Sequence, residues 1–283
     1  MIHTSKDGHD RDALYVLENV AYTYNGKQPA LQNINLTIQR GECIALLGAN
    51  GSGKSTLLKI LDALYFPTRG TCQAFGEAMT AETMAEEARA FAFRQRVGLV
   101  FQDPDVQLFS PTVWDEVTFA PLHLGCSRAE VIERSEWALD LLSISHLRDR
   151  APFRLSGGEK KKVALASVLS FRPEVWLLDE PTAALDPRST ARLLDFMDDL
   201  RREGNTIITA THDLDIVQEI SDRVLVFCGD HEISVEGTPR EVLADQARLI
   251  ECNLLHEHRH HHGVVEHSHS HLHAGEHHHS HDA

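Results

Sequence analysis

Residues 48–55 read Gly-Ala-Asn-Gly-Ser-Gly-Lys-Ser, a G-x-x-x-x-G-K-[ST] pattern between a short apolar run, 43–47, and a helix-like stretch, 54–64. That context separates a phosphate loop from a chance glycine turn, because the chemistry needs a strand to deliver the loop and a helix to leave it. Glycines let the backbone wrap a phosphate without Cβ clashes. The inward N–H groups and the positive helix start then favour an anion. Lys54 has the reach for the β- and γ-phosphate oxygens, and Ser55 has the hydroxyl for Mg²⁺. Gly48, Asn50, Gly51, Ser52, Gly53, Lys54, Ser55 and Thr56 are therefore the candidate nucleotide-binding residues. The loop alone says only that a nucleotide binds.

A phosphate loop presupposes an α/β fold, and the remaining chain supplies one. Apolar runs at 97–101, 175–178, 206–210 and 224–227 alternate with helical patterns, which implies a mainly parallel sheet covered by helices. Residues 188–202 carry Leu193, Leu194, Phe196, Met197 and Leu200 at helical spacing, with Pro187 at the entry and Gly204 at the exit. Ser127 and Glu130 form a capping box, and Thr238 with Glu241 repeats it. The runs 14–20 and 34–38 are separated by turn residues and are expected to form an antiparallel side sheet. Three regions separate by composition: a polar leader at 1–12, a folded domain at 13–248 and a C-terminal extension at 249–283.

The formal net charge of −15 with neutral histidine opposes binding to DNA or RNA, for which a basic face is needed. No apolar run approaches the roughly 20 residues that span a bilayer. The leader lacks the apolar stretch of a signal peptide. Cys43, Cys72, Cys126, Cys228 and Cys252 are scattered with no C-x-x-C pair, so reduced thiols are expected.

Two further motifs narrow the chemistry. Val175-Trp176-Leu177-Leu178-Asp179-Glu180 is an apolar strand ending in two carboxylates, and a buried strand presents its C-terminal end to the ligand crevice. Asp179 is placed to hold Mg²⁺ and Glu180 to polarise an attacking water. Leu155-Ser156-Gly157-Gly158-Glu159 precedes another helical run and makes a second anion cradle. With these residues in place the chain resembles the ABC ATPase superfamily over roughly 14–245. The resemblance implies a P-loop ATPase with a mainly parallel core sheet, an antiparallel β side sheet and a helical signature subdomain at about 103–170. It implies ATP and Mg²⁺, with Ser55, Gln102 and Asp179 around the metal and Glu180, His212 and Gln102 as the catalytic set. Tyr24 resembles the aromatic that stacks on adenine, with Tyr22 a nearby competitor. Ala184-Leu185-Asp186 resembles the interface loop. Ser156, Gly157, Gly158 and Asp186 would face the ATP of a second subunit, so a complete site would need two chains, expected to be identical.

The stretch 100–113, Val-Phe-Gln-Asp-Pro-Asp-Val-Gln-Leu-Phe-Ser-Pro-Thr-Val, resembles the ATPases of energy-coupling-factor importers, which take up vitamins and transition metals. The likeness continues through 115–125 and 155–164, except that Lys162 stands where that family usually has arginine. Asp103 and Asp105 are either partners for basic residues of a transmembrane scaffold or caps of the loop around Pro104.

Residues 256–281 hold thirteen of the nineteen histidines, among them His260, His261, His262, His267, His269, His271, His273, His277, His278, His279 and His281. Imidazole suits Ni²⁺ and Co²⁺. The interruptions Glu257, Arg259, Glu266 and Glu276 set the tract apart from a plain engineered tag, though a solvated tail without a role would also have this composition. It is too polar to be expected to fold alone. Together these readings imply the ATP-hydrolysing motor of a cobalt or nickel importer, peripheral on the cytoplasmic membrane face, with a transmembrane scaffold and metal-binding membrane subunits. Vitamin uptake and a non-transport ABC ATPase are the alternatives.

Overall fold

The computed structural model describes residues 13–262 and 265–272. The leader 1–12 and the histidines at 273, 277, 278, 279 and 281 lie outside the described residues. The strands are β1 (Ala13–Tyr24), β2 (Gln28–Gln39), β3 (Cys43–Gly48), β4 (Arg69–Ala74), β5 (Glu77–Ala78), β6 (Val97–Val100), β7 (Val175–Asp179), β8 (Thr206–Thr211), β9 (Arg223–Phe227) and β10 (Ile233–Gly237). A last pair, β11 (Leu255–His262) and β12 (Val265–Leu272), follows them. The helices are α1 (Lys54–Leu61), α2 (Ala81–Ala85), α3 (Glu87–Arg94), α4 (Val113–His123), α5 (Arg128–Leu141), α6 (Gly157–Leu169), α7 (Pro187–Arg202), α8 (Val217–Ile220), α9 (Pro239–Ala244) and α10 (Gln246–Glu251).

Six strands form the central sheet in the order β10-β9-β3-β8-β7-β6. All pairs are parallel except β10 on β9. The period-2 alternation of a strand divides the core. Val175 and Leu177 of β7 face the apolar cluster shared with α1 and the side sheet, whereas Trp176 and Leu178 face the cluster under α4, α6 and α7. Burial on both faces explains why β3 and β7 read as nearly unbroken apolar runs. The side sheet runs β2-β1-β4-β5, antiparallel throughout. β4 and β5 lack a strong alternating pattern, and the sequence reading does not include them.

Local signals place the helix ends. Ser127 with Glu130 and Thr238 with Glu241 form the expected capping boxes. Asp186 caps α7 through the Ser189 N–H, directly before Pro187. The insert between β6 and β7 contains α4, α5 and α6, packed on one another and on β6 and β7.

Two expectations are corrected. Cys228, just after β9, and Cys252, just after α10, meet in a third apolar cluster, with Cα atoms 4.7 Å apart and their sulfurs joined. The return of the chain through α9 and α10 creates that pair, which no sequence spacing announces; Cys43, Cys72 and Cys126 are free. The backbone of the histidine tract also pairs, Leu255 with Leu272 through to His262 with Val265. The alternation His267-x-His269-x-His271 has strand period, and a hairpin satisfies backbone groups even where the residues are polar.

Candidate nucleotide site

β3 lies between β9 and β8 at the middle of the sheet, so its C-terminal end opens onto the central crevice. The chain leaves it at Gly48, turns through 49–53 and enters α1. Gly53 has φ 119°, and a Cβ there would meet the Ala30 carbonyl oxygen at 2.5 Å, so only glycine is accommodated. The Lys54 ammonium is buried and donates to the carbonyls of Gly48 at 2.6 Å and Ala49 at 3.2 Å. Burial lowers its pKa, opposed by the carboxylates of Glu180 and Asp179.

β7 brings the acidic pair to the same crevice. Burial pushes the Asp179 carboxyl above its ordinary range, Glu180 adds to this, and a hydrogen bond from the Ser55 hydroxyl opposes it. Glu180 is 3% exposed and takes φ 48°, a left-handed conformation unusual for a residue with a side chain. Its N–H donates to the Ala210 carbonyl at 2.9 Å. One carboxylate oxygen lies 2.8 Å from His212 Nδ1, and the other accepts from the Thr211 hydroxyl at 3.4 Å. Both partners come from the end of β8, 31 and 32 residues further along the chain.

Asn50, Gly51, Ser52, Lys54, Ser55, Gln102, Asp179 and Glu180 line one cleft of about 200 Å³. Ser52 Oγ and Asp179 Oδ1 are buried there without a hydrogen-bond partner among the described residues. Orphaned oxygens beside a buried ammonium fit a Mg²⁺-bound polyphosphate, because buried polar atoms normally have partners. Gly48 and Gly53 end the loop. The Thr56 hydroxyl shares a 3.0 Å hydrogen bond with that of Tyr24. The competing Tyr22 lies in the same aromatic cluster: it stacks on Tyr65 with centroids 5.0 Å apart and rings nearly parallel, and Tyr24 meets both rings edge-on at 5.1 and 5.8 Å.

The second cradle lies elsewhere. Ser156 and Gly157 are exposed and absent from the cleft lining. Ser156 caps α6 in a reciprocal box with Glu159, whose carboxylate accepts from both the N–H, at 2.8 Å, and the hydroxyl, at 2.7 Å. A Cβ on Gly158 would meet the Ala184 carbonyl at 2.8 Å, so the glycine lets the loop Ala184-Leu185-Asp186 pack closely. Asp186 of that loop is 2.6 Å from the Lys162 ammonium, which with the Ser189 hydroxyl and N–H holds its carboxyl well below the ordinary range. Asp103 caps the 3-10 turn Pro104–Val106, the loop-capping alternative raised above, whereas Asp105 pairs with Lys160. The motif reading missed Gln107, whose amide accepts from the Phe101 N–H and donates to the Ala164 carbonyl and the Ser167 hydroxyl. Among the described residues no three His, Cys, Asp or Glu side chains cluster to hold a metal ion, and no helix is long and apolar enough to cross a membrane.

A phosphate loop facing two strand-end carboxylates in a parallel sheet defines a P-loop nucleoside triphosphatase. The ABC transporter family model matches residues 31–183. The nickel import ATP-binding protein NikO of Rhodobacter capsulatus is 49% identical over 244 residues, which cover 85% of this chain and 95% of that one. The structure of cbiO1 from Clostridium perfringens, part of the ABC transporter complex cbiONQ, matches with a TM-score of 0.68 at 37% identity, over 86% of this chain and 95% of that one. A dimeric structure of a bacterial ABC transporter cassette gives 0.72 at 29% identity, over 80% and 99% of the two chains. Energy-coupling-factor ATP-binding proteins are among the relatives. This chain belongs to the ABC transporter family and is an ATP-binding, ATP-hydrolysing member of it.

Proposed function

We propose that the chain is the motor of a membrane importer for a divalent transition-metal ion, cobalt or nickel, working as a pair on a transmembrane scaffold at the cytoplasmic face. The observation that carries the motor reading is the cleft itself, where Lys54, Asp179 and Glu180 converge. In this reading the loop of 48–55 and Thr56 bind the phosphates, and Tyr24 stacks on adenine. Mg²⁺, held by Ser55, Gln102 and Asp179, would neutralise phosphate charge. Glu180 orients the attacking water and accepts its proton. Its carboxylate is acceptor-only, so His212 Nδ1–H donates to it and fixes the rotamer.

Ser156, Gly157, Gly158 and Asp186 act across the pair, on the ATP held by the other copy. The exposure of Ser156, Gly157 and Asp186 supports this, as does the dimeric form of the related cassette. Val106 and Phe109 stand exposed beside the Gln102 loop, where a scaffold helix would dock. The nickel-import relative and the histidine tail support a metal cargo, with the tail holding Ni²⁺ or Co²⁺ near the point of entry. The test is uptake by vesicles carrying the chain together with a transmembrane scaffold and a substrate-binding membrane subunit. ATP-dependent accumulation of radioactive nickel or cobalt, lost with Glu180→Gln, is the expected result. Accumulation of a vitamin instead would overturn the cargo assignment and leave the motor intact.

A further inference from the structure

Lys160, Lys161 and Lys162 are consecutive in α6, yet their ammonium groups end on different partners in the nucleotide machinery. Lys160 pairs with Asp105 just beyond Gln102, and Lys162 pairs with Asp186 of the interface loop, both at 2.6 Å and both on half-open surfaces. Lys161 differs. It is 2% exposed, and its ammonium donates to three backbone carbonyls: Phe101 at 2.9 Å, Asp179 at 3.1 Å and Gln102 at 3.3 Å. An ammonium has three N–H bonds, so every donor is used. The acceptors belong to the loop leaving β6 and to the last residue of β7. The helix supplying the ammonium begins at Ser156–Gly158, one turn before it.

A buried cation that makes no direct ion pair is uncommon, since burial favours its neutral form. Here burial lowers the Lys161 pKa to about 8, while Asp179, Glu180 and Asp103 oppose the shift. Simple core packing gives no reason for a charge at this place, because a methionine would fill the same volume. Three carbonyls converging from two separate segments do.

We propose that Lys161 is a positioning residue, fixing the backbone that carries Gln102 and Asp179 to the helix that carries the second cradle. The metal-ligand side of one nucleotide site and the cradle offered to the other site then share one frame. This rests on the assignment of Gln102 and Asp179 to the Mg²⁺ side of the cleft.

The test compares Lys161→Gln, Lys161→Met and Lys161→Arg in the full chain. Calorimetry with a non-hydrolysable ATP analogue, with and without Mg²⁺, is read beside kcat, KM and thermal midpoint. For Lys161→Gln the gain in affinity conferred by Mg²⁺ is expected to fall about tenfold, with the Mg²⁺-free affinity within about twofold of wild type. Its kcat should fall about tenfold at nearly constant KM. Lys161→Arg, which keeps the charge and several donors, should recover most of both. Lys161→Met covers the case in which a polar residue refolds the loop. If folded Lys161→Gln and Lys161→Met keep the Mg²⁺ increment and kcat, with only the thermal midpoint lowered, Lys161 is a packing residue and the proposal fails. The underlying site assignment fails separately if Asp179→Asn leaves the Mg²⁺ increment unchanged.

Discussion

The two glycine-rich helix starts of this molecule share their chemistry and differ in their setting. At α1 the loop is roofed by Asp179 and Glu180, its lysine is buried, and two buried oxygens have no partner among the described residues. At α6 the serine and first glycine are exposed among the described residues, and the serine hydroxyl donates to its own Glu159. Both present N–H groups and a positive dipole end. Only the first has the surroundings to desolvate a phosphate, and electrostatic stabilisation is strong only where water is excluded. The difference teaches that one chain holds one closed cleft and one open helix start, which is the asymmetry that the proposed pairing of two copies requires.

The largest effect expected to probe that contrast lies at the closed end. Glu180→Gln should lower kcat by roughly 100-fold or more, the scale of a lost general base, while MgATP binding survives. ATP should then hold two copies together, detected by light scattering or size exclusion. Near-normal hydrolysis would remove Glu180 from the chemistry.

Next comes the open end. Ser156→Arg places bulk and charge on an exposed cap, so the monomer should bind nucleotide within about twofold of wild type while ATP-driven pairing and turnover collapse. A variant that still pairs and hydrolyses would break the comparison, since the α6 cradle would then be a helix cap and no more. A smaller effect separates the two tyrosines. Tyr24→Ala should weaken ATP binding about tenfold, within the roughly 1–3 kcal/mol of one base–aromatic stack. Tyr22→Ala should act mainly on stability, because its ring is committed to Tyr65. The reverse pattern in a fluorescent-nucleotide titration would exchange their roles.

The smallest effect on catalysis belongs to the histidine tract, which is part of neither end. Removing residues 256–283 should leave basal ATPase within about twofold and remove most bound Ni²⁺ or Co²⁺. Metal ligation needs unprotonated imidazole, so binding by the full chain should be strong above and lost below the ordinary histidine pKa of about 6.5. Equal metal stoichiometry in the two proteins would make the tract a solvated appendage.

Much of the fold and cleft was legible because its signals are contiguous. The phosphate loop carries its own glycines, lysine and hydroxyl, and the run 175–180 announces both a buried strand and its acidic end. The caps at Ser127 and Thr238 are equally local, since a cap and its helix are neighbours in the chain. β4, β5 and the short helices α2 and α3 were not legible. They are short, partly exposed elements placed by packing against β1 and the core edge rather than by a periodic pattern.

By itself, then, the sequence determined the class of fold, the phosphate loop, the carboxylate pair and the second glycine-rich helix start, because strand and helix periodicity and turn chemistry act over a few residues. Only the tertiary structure decided which cradle is roofed and which is open, that Tyr22 stacks on Tyr65 while Tyr24 reaches Thr56, and that Cys228 meets Cys252. It also decided that Lys161, indistinguishable in sequence from its two neighbours, lies buried on carbonyls 18, 59 and 60 residues away. Such contacts depend on where separate elements converge in the packed core, and no local pattern encodes that convergence.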